Sequence, residues 1–311
     1  MRLRRLLAGA VGGLALTEAA NRALSARSGP LEPALVGNQR TYRWRGFDVE
    51  YTEAGDPSDP DVVCLHGVHA AASAKEYDGI FGPLVEDYHV VAPDLPGFGR
   101  SDRPPVAYTS SLYEAFVADF LADVADDPVV LGSSLTGAWA AMAADEVDAK
   151  GLLLVCPTAD TGPRRPWVRS LVRSPVVGQG LFNALTSKPS LRFFDQREAF
   201  YRPEHVTTDI VDYQWQTAHQ DGGRFAPASF VGGFLDPAVD LGEALAAVDC
   251  PVTLFWGREA TVTPLAEGRE LADEADTRLV VLDDTKLLPH EEEPGTFVDL
   301  IRGELPQLEG Q

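Results

Sequence analysis

Cysteine, lysine and long apolar runs are all scarce in this chain. The three cysteines (Cys64, Cys156, Cys250) form no C-x-x-C and lie near no histidine pair. That argues against a disulfide framework or a zinc site, and each reads as a buried structural thiol in or beside an apolar run. Only four lysines occur (Lys75, Lys150, Lys188, Lys286), and with 47 acidic against 26 basic residues the formal net charge is −21. Such a surface repels nucleic acid and anionic lipid, so neither is expected as a partner of the folded domain. An acidic, lysine-poor surface is similar to that of halophilic proteins, where salt screens the self-repulsion. No G-x-x-x-x-G-K cradle, metal motif or flavin motif is present, so no cofactor and no metal ligand set is expected.

At 311 residues the chain has room for a large α/β domain with an insertion. Residues 1–39 form an N-terminal segment. Three arginines precede an apolar run from Leu6 to Leu16, which Glu18 and Arg22 then interrupt. A bilayer span needs roughly twenty apolar residues, so this run is too short. It has the n- and h-regions of a signal peptide with a poor cleavage site, or the form of an interfacial helix. The expected location is the cytoplasm. Peripheral membrane contact through residues 1–20 stays open, as does secretion through residues 1–25.

Alternation from Arg40 to Glu53 predicts a two-stranded hairpin. Short apolar strands follow at Val62–Leu65, His89–Ala92, Pro128–Ser133 and Gly151–Cys156, separated by helical stretches. The order lapses from 157 to 249, where helical pieces (Trp167–Leu185, Val206–Ala218) carry many aromatics. It resumes with strands at Val252–Trp256 and Leu279–Leu282 and helices at Pro264–Ala275 and Pro294–Leu305. The expectation is an α/β fold, a doubly wound and mostly parallel sheet. The core would comprise residues 40–156 and 250–305, with a helical lid at 157–249 and a tail at 306–311.

The stretch Gly132-Ser133-Ser134-Leu135-Thr136-Gly137 sits between a strand and a helix-forming run, with Ser134 at the apex. A strained strand-turn-helix lifts a serine hydroxyl clear of a sheet, and its flanks must be small so that strand and helix can approach. Three further signatures occur in order: L-H-G after Val62–Leu65, D-L-P-G-F-G-R-S after His89–Ala92, and P-H-E-E-E-P near the end. Over roughly residues 40 to 305 these resemble an α/β-hydrolase of the lidded type. The resemblance implies a nucleophile at Ser134 and an oxyanion hole from the backbone N–H groups of Val68 and Leu135. His66 in such a loop reads as structural, and His69 as a loop histidine near the mouth.

The resemblance also places an acid in W-G-x-x-D-x-x-x-P and a base in G-H-x-P-H-x-E-x-P. Here those read Trp256-Gly257-Arg258-Glu259-Ala260 and Lys286-Leu287-Leu288-Pro289-His290. Ala260 and Leu287 thus stand where the acid and the histidine are expected. His290, three residues on, is the candidate base, and Glu259 or Asp160 the candidate acid. Two functions follow. The chain hydrolyses a small apolar ester or related carbonyl substrate through Ser134 with a relocated base, or it is a catalytically silent relative that binds an apolar ligand under the lid. The partner in either case is a small molecule.

Overall fold

The computed structural model describes residues 2–308, with side chains described for 13–304. The chain begins with α1 (Arg2–Ser28) and the hairpin β1 (Asn38–Trp44) and β2 (Phe47–Ala54). Then come β3 (Asp61–Leu65), α2 (Asp78–Leu84), β4 (His89–Pro93), α3 (Ser110–Val124), β5 (Val129–Ser133), α4 (Leu135–Ala143) and β6 (Gly151–Val155). Six helices follow before the next strand: α5 (Pro166–Arg173), α6 (Val177–Leu185), α7 (Lys188–Phe194), α8 (Thr208–Ala218), α9 (Phe225–Val231) and α10 (Leu241–Ala247). The chain ends with β7 (Val252–Gly257), α11 (Leu265–Glu274), β8 (Arg278–Leu282), α12 (Pro289–Glu292) and α13 (Pro294–Leu308). No helix among the described residues is long and apolar enough to cross a membrane.

The eight strands form one sheet in the order β1-β2-β4-β3-β5-β6-β7-β8. The hairpin strands pair antiparallel and all others parallel. β5 and β6 are buried along their whole length, because helices cover both faces of a parallel sheet. Their side chains alternate accordingly. Val63, Leu65, Val130, Leu152 and Leu154 join Phe116 and Trp139 on one face. Val62, Cys64, Leu131, Leu153 and Val155 join Phe81 and Phe297 on the other. Cys64 and Cys156 are buried and Cys250 is half-buried, all three as free thiols.

β3 pairs with β4 on one side and β5 on the other, so the strand order reverses between β3 and β5. The crevice beyond the strand ends at such a reversal is where open α/β sheets bind ligands. The loop after β3 and the turn after β5 both open onto it.

The inserted helices share a small core of their own, including Val172, Phe182, Leu191, Phe200, Val206 and Val211. It packs down on Ala70 and Ala71 of the loop after β3 and on Leu288. The helical stretch expected at Trp167–Leu185 is two helices, broken at Ser174-Pro175-Val176. A proline forces its predecessor into extended backbone. Ser174 is extended, and Val176 then takes a left-handed φ of 58°.

Candidate functional site

Ser134 has φ 57° and ψ −124°, a conformation that costs a non-glycine residue energy and persists only where the surroundings hold it. The restraints can be named. Ser134 N–H donates to Val155 O of β6 (2.9 Å), while Ser134 O accepts from Gly137 N–H (3.1 Å) and Thr158 N–H (3.3 Å). A Cβ on Gly132 would lie 3.1 Å from Gly137 Cα, and one on Gly137 would lie 2.9 Å from Pro157 Cβ. Thr136 fills the third small position and is used as a bracket. Its Oγ1 accepts from Ser133 N–H (2.9 Å) and faces the carbonyls of Leu65 (2.8 Å) and Ser133 (2.7 Å). The half-buried Ser134 hydroxyl makes no hydrogen bond among the described residues.

The N–H groups of Val68 and Leu135 likewise donate no hydrogen bond among the described residues. Two unspent donors beside a free serine hydroxyl are what an oxyanion site requires. The loop holding Val68 is fixed from behind. His66 is fully buried; its Nδ1 faces Gly67 O (2.7 Å), and its Nε2 lies 3.0 Å from Leu95 N–H. Donation from Nδ1 and acceptance at Nε2 fix one neutral tautomer and leave no lone pair for proton transfer. His66 is therefore a structural residue. His69 accepts from Ala71 N–H through Nδ1 (3.3 Å), and desolvation holds it neutral by lowering its pKa to about 4.

Sequence reasoning missed Glu76. This buried carboxylate accepts from Gly67 N–H through Oε2 (2.8 Å), and its Oε1 faces His290 Nε2 at 3.1 Å. Burial alone would raise its pKa, but the hydrogen bonds of His290 and the Ser133 hydroxyl outweigh that and bring it down to about 2. Glu76 thus ties the loop after β3, the residue before the apex serine and the C-terminal region together. Facing a carboxylate oxygen, His290 Nε2 carries a proton, which leaves Nδ1 as the free nitrogen. That nitrogen is buried and has no partner. The ring lies between Tyr77 and Phe297, with centroids 5.5 Å away on each side. On the next residue, desolvation and the neighbouring Glu76 charge push the Glu291 carboxyl well above the usual range.

The structure places the other predicted residues differently. Glu259 is half-buried in the turn after β7; its N–H donates to Thr285 O, and its carboxylate makes no hydrogen bond among the described residues. Asp160 is exposed and closes its own turn, accepting from Gly162 N–H (2.7 Å). Neither meets His290, whose carboxylate partner is Glu76. Ala260 and Leu287 share one apolar cluster with Cys156, Trp256 and Leu265. The two loops that carry them are locked together at Gly257, where a Cβ would collide with the backbone oxygens of Thr285 and Lys286. Among the described residues no group of three or more His, Cys, Asp or Glu side chains could hold a metal ion.

Comparison with known proteins agrees with this architecture. A family model described as the alpha/beta hydrolase family matches residues 62–300. The chain is 26% identical to the uncharacterized hydrolase YugF of Bacillus subtilis over 82% of its length and 93% of that protein's. It is 24% identical to 2-hydroxy-6-oxo-6-phenylhexa-2,4-dienoate hydrolase of Comamonas testosteroni, over 72% and 79% of the two chains. Among solved structures, a membrane phospholipase A superposes with a TM-score of 0.69 at 20% identity, covering 99% of this chain and 98% of that one. A hydrolase of the same phenylhexadienoate from Rhodococcus sp. strain RHA1 gives 0.70 at 21% identity, covering 86% and 98%.

Proposed function

We propose, from the premise that this chain belongs to the alpha/beta hydrolase family, that it hydrolyses a small apolar ester or related carbonyl compound through Ser134. In this reading Ser134 Oγ attacks the carbonyl carbon, and the N–H groups of Val68 and Leu135 receive the oxyanion. His290 Nδ1 takes the serine proton and returns it to the leaving alcohol. Water then cleaves the acyl-enzyme by the same path in reverse. Glu76 is the acid of the set, holding His290 Nε2–H and stabilising the imidazolium. No hydrogen bond joins Nδ1 to Ser134 Oγ. Transfer therefore requires the ring or a bridging water to close that gap when substrate binds.

The observation that carries this reading is the Glu76–His290 pair. It is a carboxylate–imidazole couple with one unengaged nitrogen, bonded through Glu76 to the loop that carries the Val68 donor. The apolar core of the inserted helices, reaching Ala70, Ala71 and Leu288, favours an apolar substrate under this lid. The names of two similar proteins, hydrolases of an oxo-phenylhexadienoate, are consistent with a carbonyl substrate.

A second reading is favoured by the apolar packing of Ala260 and Leu287: the fold binds an apolar ligand without turnover. Labelling with a fluorophosphonate probe separates the two. Wild type should label, Ser134→Ala should not, and His290→Ala and Glu76→Gln should slow labelling by at least about 10²-fold. A folded wild type that never labels would leave ligand binding as the better account.

A further inference from the structure

Positive charge in this acidic chain is confined. Residues 161–194 contain Arg164, Arg165, Arg169, Arg173, Lys188 and Arg192 and no Asp or Glu. Residues 1–27 contain Arg2, Arg4, Arg5, Arg22 and Arg27 against Glu18 alone. These two segments hold eleven of the 26 basic residues and one of the 47 acidic ones, leaving −31 on the rest.

The fold brings the two segments together. Asn21 Nδ2 of α1 donates to Val176 O (3.0 Å), and Asn183 Nδ2 of α6 donates to Asn21 Oδ1 (3.0 Å). A Cβ on Gly180 would lie 3.0 Å from Thr17 Cγ2. Ser25 and Ser28 hydroxyls reach His219 O beyond α8 (3.3 and 3.2 Å). Thus α1 is seated through a polar stripe, Thr17, Asn21, Ser25 and Ser28, at helical spacing. Among its described side chains, Leu16 is 75% exposed and Leu14 is exposed as well. Next to it, Val177, Leu181 and Leu185, at i, i+4 and i+8, form an exposed apolar stripe on α6. Trp167, on α5 packed against α6, is 68% exposed.

We propose that this face, built from α1, α5 and α6, docks on an anionic lipid bilayer. The stripe would enter the interface, Trp167 would sit at headgroup level, and the exposed Arg164 and Arg165 would meet lipid phosphates. Charge complementarity selects this occupant. Two copies meeting face to face would bring basic segment against basic segment, whereas an anionic surface attracts this face and repels the remaining −31. The orientation is therefore unique, and it sets the inserted helices between the bilayer and the crevice. The general expectation that this surface repels anionic lipid is reversed at one face. The proposal requires nothing of Ser134.

The test is flotation of the full-length chain with phosphatidylcholine vesicles, with and without phosphatidylglycerol, at low ionic strength. Wild type should float with the anionic vesicles and stay behind with the neutral ones. Arg164→Gln combined with Arg165→Gln should weaken binding about thirtyfold, at about fivefold per basic residue. Leu181→Ser with Leu185→Ser should weaken it with both charges intact, circular dichroism confirming that each variant is folded. Equal binding to both vesicle types, or no binding, would overturn the proposal. So would a dimer in sedimentation that dissociates on Trp167→Ser, since a second copy would then cover the face.

Discussion

The proposed nucleophile region and the region where the resemblance expects the acid and the base are made of different material. Around Ser134 the working parts are backbone: a left-handed φ, two unspent N–H groups, and glycines placed where a Cβ would collide. Around Ala260 and Leu287 the parts that would do chemistry are side chains, and those present are apolar and packed against Cys156 and Trp256. Backbone devices survive almost any substitution that preserves the turn, whereas a side-chain device vanishes with one codon. Glu76 ties the Ser134 region to His290 instead, giving one oxygen to Gly67 N–H and the other to His290.

The largest expected effect therefore lies at Glu76. Glu76→Ala orphans both partners in the interior and should cost about 3–5 kcal/mol in chemical denaturation. Glu76→Gln keeps an acceptor for Gly67 and should cost less. The pH dependence sharpens this. Because the folded pKa is depressed to about 2 from an ordinary value near 4.5, the pair's stabilisation is complete above the ordinary range. It is lost as pH falls from there through about 2. Glu76→Gln should flatten that part of the stability–pH curve, and an unchanged curve would mean that the carboxylate is not held by this pair.

Next in size is an attempt to install the acid and the histidine that the resemblance expects. Ala260→Asp or Leu287→His alone places a polar group in an apolar cluster and should cost about 1–3 kcal/mol. Together the two can bond to each other, so the double variant should lose less than the sum. If the Ser134 region is intact, the double variant should hydrolyse a small ester at least about 10²-fold faster than wild type. A folded double variant with no gain would mean that the Ser134 region is not a working nucleophile site, and the contrast between the two regions would collapse.

The strands were legible in the sequence: the buried parallel ones are short continuous apolar runs, the antiparallel hairpin alternates, and the loops between them carry glycine and proline where close approach demands them. The elbow was legible for the same reason. Ala260 and Leu287 could be located because the residues framing them, Trp256-Gly257 and Pro289-His290, match the motifs that the resemblance supplies. Glu76 was not legible. Its partner is 214 positions away, and within A-K-E-Y it reads as one more surface carboxylate of an acidic chain. Only the turn at Ala74–Tyr77 folding under the loop after β3 brings it inside. The break in the insertion at Pro175 carried a sequence signal, since proline disfavours helix in the residue before it, but apolar spacing on both sides masked it.

The smallest effect expected is at Thr136, and it tests whether the Ser134 region is as independent of side chains as the comparison claims. Its Oγ1 accepts from Ser133 N–H, and its single proton is shared between Leu65 O and Ser133 O. Thr136→Ser keeps those bonds and loses one methyl group, about 0.8 kcal/mol at most. Thr136→Val keeps the shape but orphans Ser133 N–H in the interior, about 1–2 kcal/mol. If the strained φ of Ser134 is held by β6 and the glycines alone, fluorophosphonate labelling should be equal in both variants despite their different stabilities. If labelling falls in Thr136→Val and not in Thr136→Ser, one side-chain hydroxyl is holding the turn. The Ser134 region would then be open to loss by a single substitution, as any side-chain device is.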